Sequence, residues 1–232
     1  MMKLYFTRFL ILVFFVGTCT LTFAQYKVNF IEGNVTFMKP LGFFSKNLPD
    51  AKLGFEFGYL RQLKVDQPLF WGFSCYYNDL GSNGAVVQEV IEFNVFDVNY
   101  TTTSNLLGFN GKLRFYPAIY FRKFEFYIEA QLGYKWLFTN TTRTIADDSD
   151  SSNLNTEKGA LSLTYGAAAG FNLPVKNDWF INFRLNYLPG LSVPYYVLNN
   201  QNIINYSTLD GFDLKRSVTD IFRMDFGITY KF

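Results

Sequence analysis

Residues 221–232 read IFRMDFGITYKF and alternate without a break. Phe222, Met224, Phe226, Ile228, Tyr230 and Phe232 share one face of an extended strand, while Arg223, Asp225, Gly227, Thr229 and Lys231 share the other. A soluble strand averages about half this length, whereas a tilted strand needs roughly 9–11 residues to cross a bilayer. This stretch is therefore expected to be the closing strand of a transmembrane β-barrel.

Seven further amphipathic runs precede it, at residues 35–43, 51–62, 69–79, 105–116, 124–138, 160–173 and 179–188. In the run over 124–138, Phe126, Ile128, Leu132, Tyr134 and Trp136 oppose Glu125, Glu129, Gln131, Gly133 and Lys135. Short connections follow the second, fourth and sixth runs. Long ones follow the third (81–104), the fifth (139–159) and the seventh (189–217). Only the first connection, over 45–50, is short where a long one is expected, and Glu32-Gly33-Asn34 reads as an interruption before the first strand. No window repeats at helical spacing. The expectation is an all-β fold: an eight-stranded antiparallel up-and-down transmembrane β-barrel of meander topology, with short turns on the periplasmic side and longer loops outside.

The N-terminus carries Lys3 and Arg8, an apolar core over 9–16, and Thr22-Phe23-Ala24 at a cleavage spacing. Residues 1–24 are expected to be a cleaved signal peptide and 25–232 a single barrel domain. The mature chain then has 19 basic and 19 acidic residues, since Lys3 and Arg8 leave a total of 21 Lys and Arg. That balance argues against a nucleic-acid partner. Cys75 is left as a single thiol, so no internal disulfide is possible.

Aromatic residues make up 20% of the chain, with 28 Phe and 16 Tyr, yet mean hydropathy is only +0.04. A lipocalin-like barrel would put the apolar face inside, but an eight-stranded interior is too small for so many large rings. The other face is rich in glycine, with Gly54, Gly58, Gly72, Gly108, Gly133, Gly166, Gly170 and Gly227. The aromatic face is therefore expected to meet lipid. A soluble sandwich would use the same residues as core, but strand length and loop asymmetry oppose it. Glu56, Lys112, Arg114, Glu125, Glu129, Lys135, Arg184, Arg223 and Asp225 are expected to form a lumenal ion-pair network, because buried charges need partners.

No catalytic, cofactor or metal site is expected. The chain has no histidine, and Glu125 and Glu129 lie roughly 13 Å apart along a strand, too far for a glycosidase pair. Asp148-x-Asp150-x-Ser152 resembles the start of a calcium loop, but Asn153 and Gly159 stand where Gly and Glu are required. The external loops carry apolar clusters. Residues 81–104 are expected to continue the barrel as a hairpin, and Phe93, Phe96, Tyr195, Tyr196 and Tyr206 are candidate contacts with a protein partner.

With eight amphipathic strands and the ending Gly227-Ile228-Thr229-Tyr230-Lys231-Phe232, the chain resembles small outer-membrane barrels of the OmpA/OmpX type. More narrowly, it resembles the Phe/Tyr-rich barrels often labelled PorT-like. The resemblance implies a cell outer membrane location, contact with lipid and lipopolysaccharide, and insertion by the barrel assembly machinery, which would read Phe232 and Tyr230. It implies no active site to carry over; some PorT-like members serve a protein secretion apparatus. The expected function is thus a non-enzymatic structural or interaction role for a monomeric barrel. The alternatives are a secretion component, a narrow channel or a binder of a small hydrophobic ligand.

Overall fold

The structure, a computed structural model, describes residues 27–65, 67–91, 94–117, 120–121, 123–145, 148–198 and 212–232. The expected signal segment, 1–24, lies outside these residues. The elements are β1 (Asn29–Pro40), α1 (Gly42–Asn47), β2 (Lys52–Gln62), β3 (Leu69–Ile91), β4 (Asn94–Phe115), β5 (Tyr120–Phe121), β6 (Phe124–Ile145), β7 (Asp148–Lys176), β8 (Trp179–Leu188), β9 (Ser192–Leu198), β10 (Phe212–Val218) and β11 (Ile221–Lys231).

Eight strands close a ring in the order β1-β2-β3-β4-β6-β7-β8-β11, every pair antiparallel, with β4–β6 and β11–β1 completing the circle. The two-residue β5 merely hangs on the start of β6. At the seam, the Phe232 amide donates to Asn29 O at 3.0 Å and the Asn29 amide donates back to Phe232 O at 2.9 Å. Closure leaves no sheet edge within the ring, the condition for a sheet in hydrocarbon.

Alternation sorts the side chains as the ring requires. Val35, Phe37, Phe55, Phe57, Phe73, Phe109, Leu132, Tyr165, Phe226 and Ile228 point outward and are exposed, while Glu32, Glu56, Lys112, Arg114, Glu129, Arg184, Arg223 and Asp225 point inward and are buried. An outward apolar band around a polar interior is the surface of a transmembrane barrel. Cys75 is on the outward face, paired with Phe57 and Phe109.

The first strand begins earlier than the sequence suggests. Glu32-Gly33-Asn34 is no interruption: β1 runs through it, with Glu32 and Asn34 in the lumen and Gly33 facing out. The apolar residue Phe30 shares Glu32's inward face, so one face of the strand changes from apolar to polar there and the period is masked. The connection over 139–159 is also largely strand, because β6 and β7 continue through it. Thr139, Thr141, Thr142 and Thr144 have strand preference, and they pair along β4 beside Ser104, Thr102, Thr101 and Asn99. Their polarity reflects a position beyond the apolar band. The 81–104 segment is a hairpin extending β3 and β4, as anticipated.

The result is lopsided. On the side of β1, β2, β8 and β11 the strands span 10 to 12 residues; β3, β4, β6 and β7 span 22 to 29. The long four form a wall that continues past the ring by about 35 Å of strand at the usual rise. Past Asn78, β3 has no described partner on the β2 side, and β7 has none over 148–162 on the β8 side.

All three tryptophans of the chain, Trp71, Trp136 and Trp179, point outward. Refolding into vesicles of brominated phosphatidylcholine should therefore quench most tryptophan emission relative to unbrominated vesicles. Unchanged emission would mean that the aromatic face does not meet lipid.

Candidate functional site

Among the described residues, the chain concentrates its chemistry in the interior, which is built in three layers. At the end where β1 begins and β11 stops, Phe30, Leu60, Phe70 and Phe180 fill the lumen, with Val28 and Tyr116 against them. The Phe30 and Phe70 rings lie 5.2 Å apart, and Phe70 and Tyr116 lie 5.3 Å apart, edge to face. A cavity of about 540 Å³ opens at this mouth, bordered by Phe30, Phe115, Phe126 and Phe180 with Glu125 and Lys231.

The middle layer is ionic. Four carboxylates (Glu32, Glu56, Glu129, Asp225) meet four cations (Lys112, Arg114, Arg184, Arg223), all without side-chain exposure. Arg114 bridges Glu32, at 2.5 and 3.0 Å, and Glu129, at 2.7 Å. Arg184 reaches Asp225 at 2.7 Å, Glu32 at 3.2 Å and Glu56. Glu56 also receives Lys112 at 2.7 Å and the Arg223 guanidinium, while Arg223 Nε donates to Asp225 at 2.7 Å. Gln131 and Asn186 complete the shell, donating to Glu129 at 2.6 Å and Asp225 at 2.8 Å. The layer is electrically neutral, so each buried charge has its compensation next to it.

Two arginines sit over tyrosine rings. Arg114 Cζ lies 3.9 Å from the Tyr127 ring centre and Arg223 Cζ lies 4.2 Å from that of Tyr76, a cation–π arrangement. Each ring occupies space left by a glycine on the neighbouring strand: Tyr76 pairs with Gly108, and Tyr127 with Gly170. A Cβ on Gly108 would overlap the Tyr76 ring, and one on Gly170 would come within 2.6 Å of the Tyr127 ring.

The third layer closes the far mouth. Met38, Tyr76, Leu80, Leu106, Leu137, Leu188 and Ile221 from the ring pack against Phe44 and Leu48 from the first connection and Val193, Tyr195 and Val197 from β9. The β9–β10 hairpin thus folds back into the opening, and Ser104 Oγ donates to Tyr196 O at 3.1 Å to hold it on the wall.

Set against the expected site residues, Glu56, Lys112, Arg114, Glu129, Arg184, Arg223 and Asp225 come together. Glu125 does not: it sits at the mouth cavity beside Lys231, one residue into β6 and too near the end to reach the ionic layer. Lys135 does not join either. Its ammonium donates to Leu188 O and Thr219 O, both at 2.6 Å, and so ties the two ends of the β8–β11 connection together. Glu32 belongs to the network and was hidden by the change of face in β1. Tyr195 is a buried plug residue, not an exposed contact, and Tyr196 and Phe96 are half-buried. Phe93 and Tyr206 lie outside the described residues. The segment beginning at Asp148 is extended strand, without the turn a calcium loop needs.

Two substitutions test this interior. Glu56→Gln leaves Lys112, Arg184 and Arg223 short of one charge and should cost about 3–5 kcal/mol in urea unfolding from micelles; Glu56→Gln with Lys112→Met should recover at least half of that. Additive losses would show that the layer is not a coupled network. Gly108→Ala should cost about 1–3 kcal/mol, and the cost should vanish in a Tyr76→Ala background.

No family profile and no curated protein sequence matches the chain. Among solved structures, a major outer membrane protein of Thermus thermophilus is similar over 90% of this chain and 100% of its own, with 10% identity and a TM-score of 0.49. The attachment invasion locus protein Ail of Yersinia pestis, in complex with the heparin analogue sucrose octasulfate, is similar over 89% and 97%, with 13% identity and a TM-score of 0.37. The N-terminal β-barrel domain of Pseudomonas aeruginosa OprF is similar over 90% and 98%, with 12% identity and a TM-score of 0.37.

Proposed function

We propose that this chain is an integral outer-membrane barrel that acts by contact with a protein partner outside the membrane, without catalysis or solute passage. The observation that carries this reading is the one-sided wall. A chain that needed only to seal a ring in lipid would not extend β3, β4, β6 and β7 so far past it. The lumen supports the same reading, since two apolar layers flank an ionic one whose charged side chains have no exposure to solvent. Nor does the ionic layer offer a free acid, base or nucleophile, and the chain has no histidine.

In this reading, residues 1–24 are a signal segment removed on export, and the end where β1 begins and β11 stops faces the periplasm. Tyr230 and Phe232, both outward and exposed, serve as the signal for the assembly machinery. The partner is an extended segment of another protein that adds to the edge of β3 past Asn78, which has no strand partner among the described residues and carries the exposed Val86. A subunit of a secretion apparatus is the case in which that protein is another envelope component. A second reading, a small hydrophobic ligand, is favoured only by the aromatic-lined mouth cavity; it predicts that such a ligand is retained through purification.

Planar bilayers containing the refolded protein should show no stable conductance; steady channels would remove the support that the filled lumen gives. In cells, a photo-reactive residue at Val86 or Val95, both exposed on the wall, should capture one reproducible protein. Of the prolines at Ala85 and Val86, the one that removes the edge donor should abolish capture while leaving the barrel folded. Capture that survives both prolines would exclude strand addition.

A further inference from the structure

The wall and the lumen leave one charged feature unused, on the opposite flank of the far mouth. After β1 the chain turns at Gly42, with φ of +55°, and α1 folds over the rim, where the Leu41 amide donates to Asp220 O at 2.9 Å. Adjacent phenylalanines then point opposite ways. Phe44 is buried in the plug, edge-on to Tyr195 at 5.1 Å. Phe43 is 63% exposed, and Lys46 Nζ sits 4.7 Å from its ring centre.

Between α1 and the β9–β10 hairpin lies a cavity of about 380 Å³ bordered by Phe43, Lys46, Asn47, Arg216 and Ser217, with no acidic side chain among its described lining residues. Its floor is fixed: Asn47 Nδ2 donates to Tyr195 Oη at 2.8 Å, and the same hydroxyl lies 2.6 Å from Ser217 Oγ. Among the described residues, Lys46 and Arg216 pair with no carboxylate, whereas the neighbouring Lys215 is already paired with Asp213 at 2.9 Å. Two uncompensated cations in a preformed pocket suit an anion with several acceptor oxygens.

The height of the pocket names the anion's source. Phe37 is the last outward apolar residue of β1, Lys39 beyond it is exposed, and α1 starts three residues later. The pocket is therefore at the edge of the apolar band, where Phe43 can lie against acyl chains while the cations stand above them. A free phosphate has no use for an exposed aromatic ring.

We infer that this pocket binds the phosphate of a lipid headgroup from the leaflet surrounding the barrel. The inference rests on the membrane-embedded reading; if that reading fails, brominated lipid does not quench the tryptophans, whereas failure here leaves quenching intact. The test titrates the refolded full chain in maltoside micelles with dioctanoyl phosphatidic acid, dioctanoyl phosphatidylcholine and inorganic phosphate, followed by native mass spectrometry. Phosphatidic acid should bind at least tenfold more tightly than either of the others. Lys46→Gln with Arg216→Gln should erase that preference, and Phe43→Ala should weaken lipid binding several-fold. Equal binding of phosphatidic acid and inorganic phosphate would make this a free-anion site and overturn the assignment. So would equal binding by the wild type and the double variant, or no binding at all.

Discussion

Eight formal charges with no exposure to solvent sit inside a ring of eight strands, and their balance is the constraint on which the rest of this structure depends. A ring of this size is just wide enough to be filled by side chains. Filling it with hydrocarbon on both faces would leave a chain that could aggregate before insertion. Filling it with charge requires that each carboxylate find a cation within a few ångströms, because an unmatched one costs several kcal/mol. Glu56 and Arg184 show how closely this is met: Glu56 serves Lys112, Arg184 and Arg223, while Arg184 serves Glu32, Glu56 and Asp225. Their strands, β2 and β8, are not neighbours in the ring. The network therefore ties opposite sides of the barrel together across its axis, which backbone pairing alone cannot do.

The glycines follow from this. Long cations and tyrosine rings can lie flat across the lumen only where the facing position has no side chain, as at Gly108 and Gly170. Glycine is poor in strands, but here its cost is offset by the stacking of Tyr76 on Arg223 and Tyr127 on Arg114. Apolar layers flank the ionic one at either mouth, and its charged side chains have no exposure to solvent.

Much of this was legible because alternation in a membrane strand is forced by the two media it separates. The strand over 179–188 and the closing strand needed no more than their own period. Legibility failed where that force is absent. Beyond the apolar band, residues 139–144 pair as strand while showing only threonine, asparagine and arginine, so polarity imitated a loop. At the mouth, Phe30 turns inward because the lumen there is plugged with aromatic rings, and its parity concealed Glu32. Glu125 has the correct inward parity, yet depth along the axis decides whether a charge can join the network, and parity carries no depth. Tyr195 looked like an exposed contact because nothing local shows that a connection folds back into the barrel it leaves.

That fold-back also accounts for the division between the two flanks. The β8–β11 connection could have stood beside the wall as another arm. Lys135 prevents this by holding Leu188 O and Thr219 O at the base, and Tyr195 pins the hairpin down by its bonds to Asn47 and Ser217. With the hairpin inside the opening, β3 past Asn78 and β7 over 148–162 have no strand partner on their outer edges among the described residues, while Lys46 and Arg216 line a pocket beside α1. A hairpin standing free would take Arg216 away from α1 and disperse the cation pair. The plugged mouth and the one-sided wall are thus two consequences of one choice of where the longest connection goes, and a chain that only had to span the membrane would have no reason to make it.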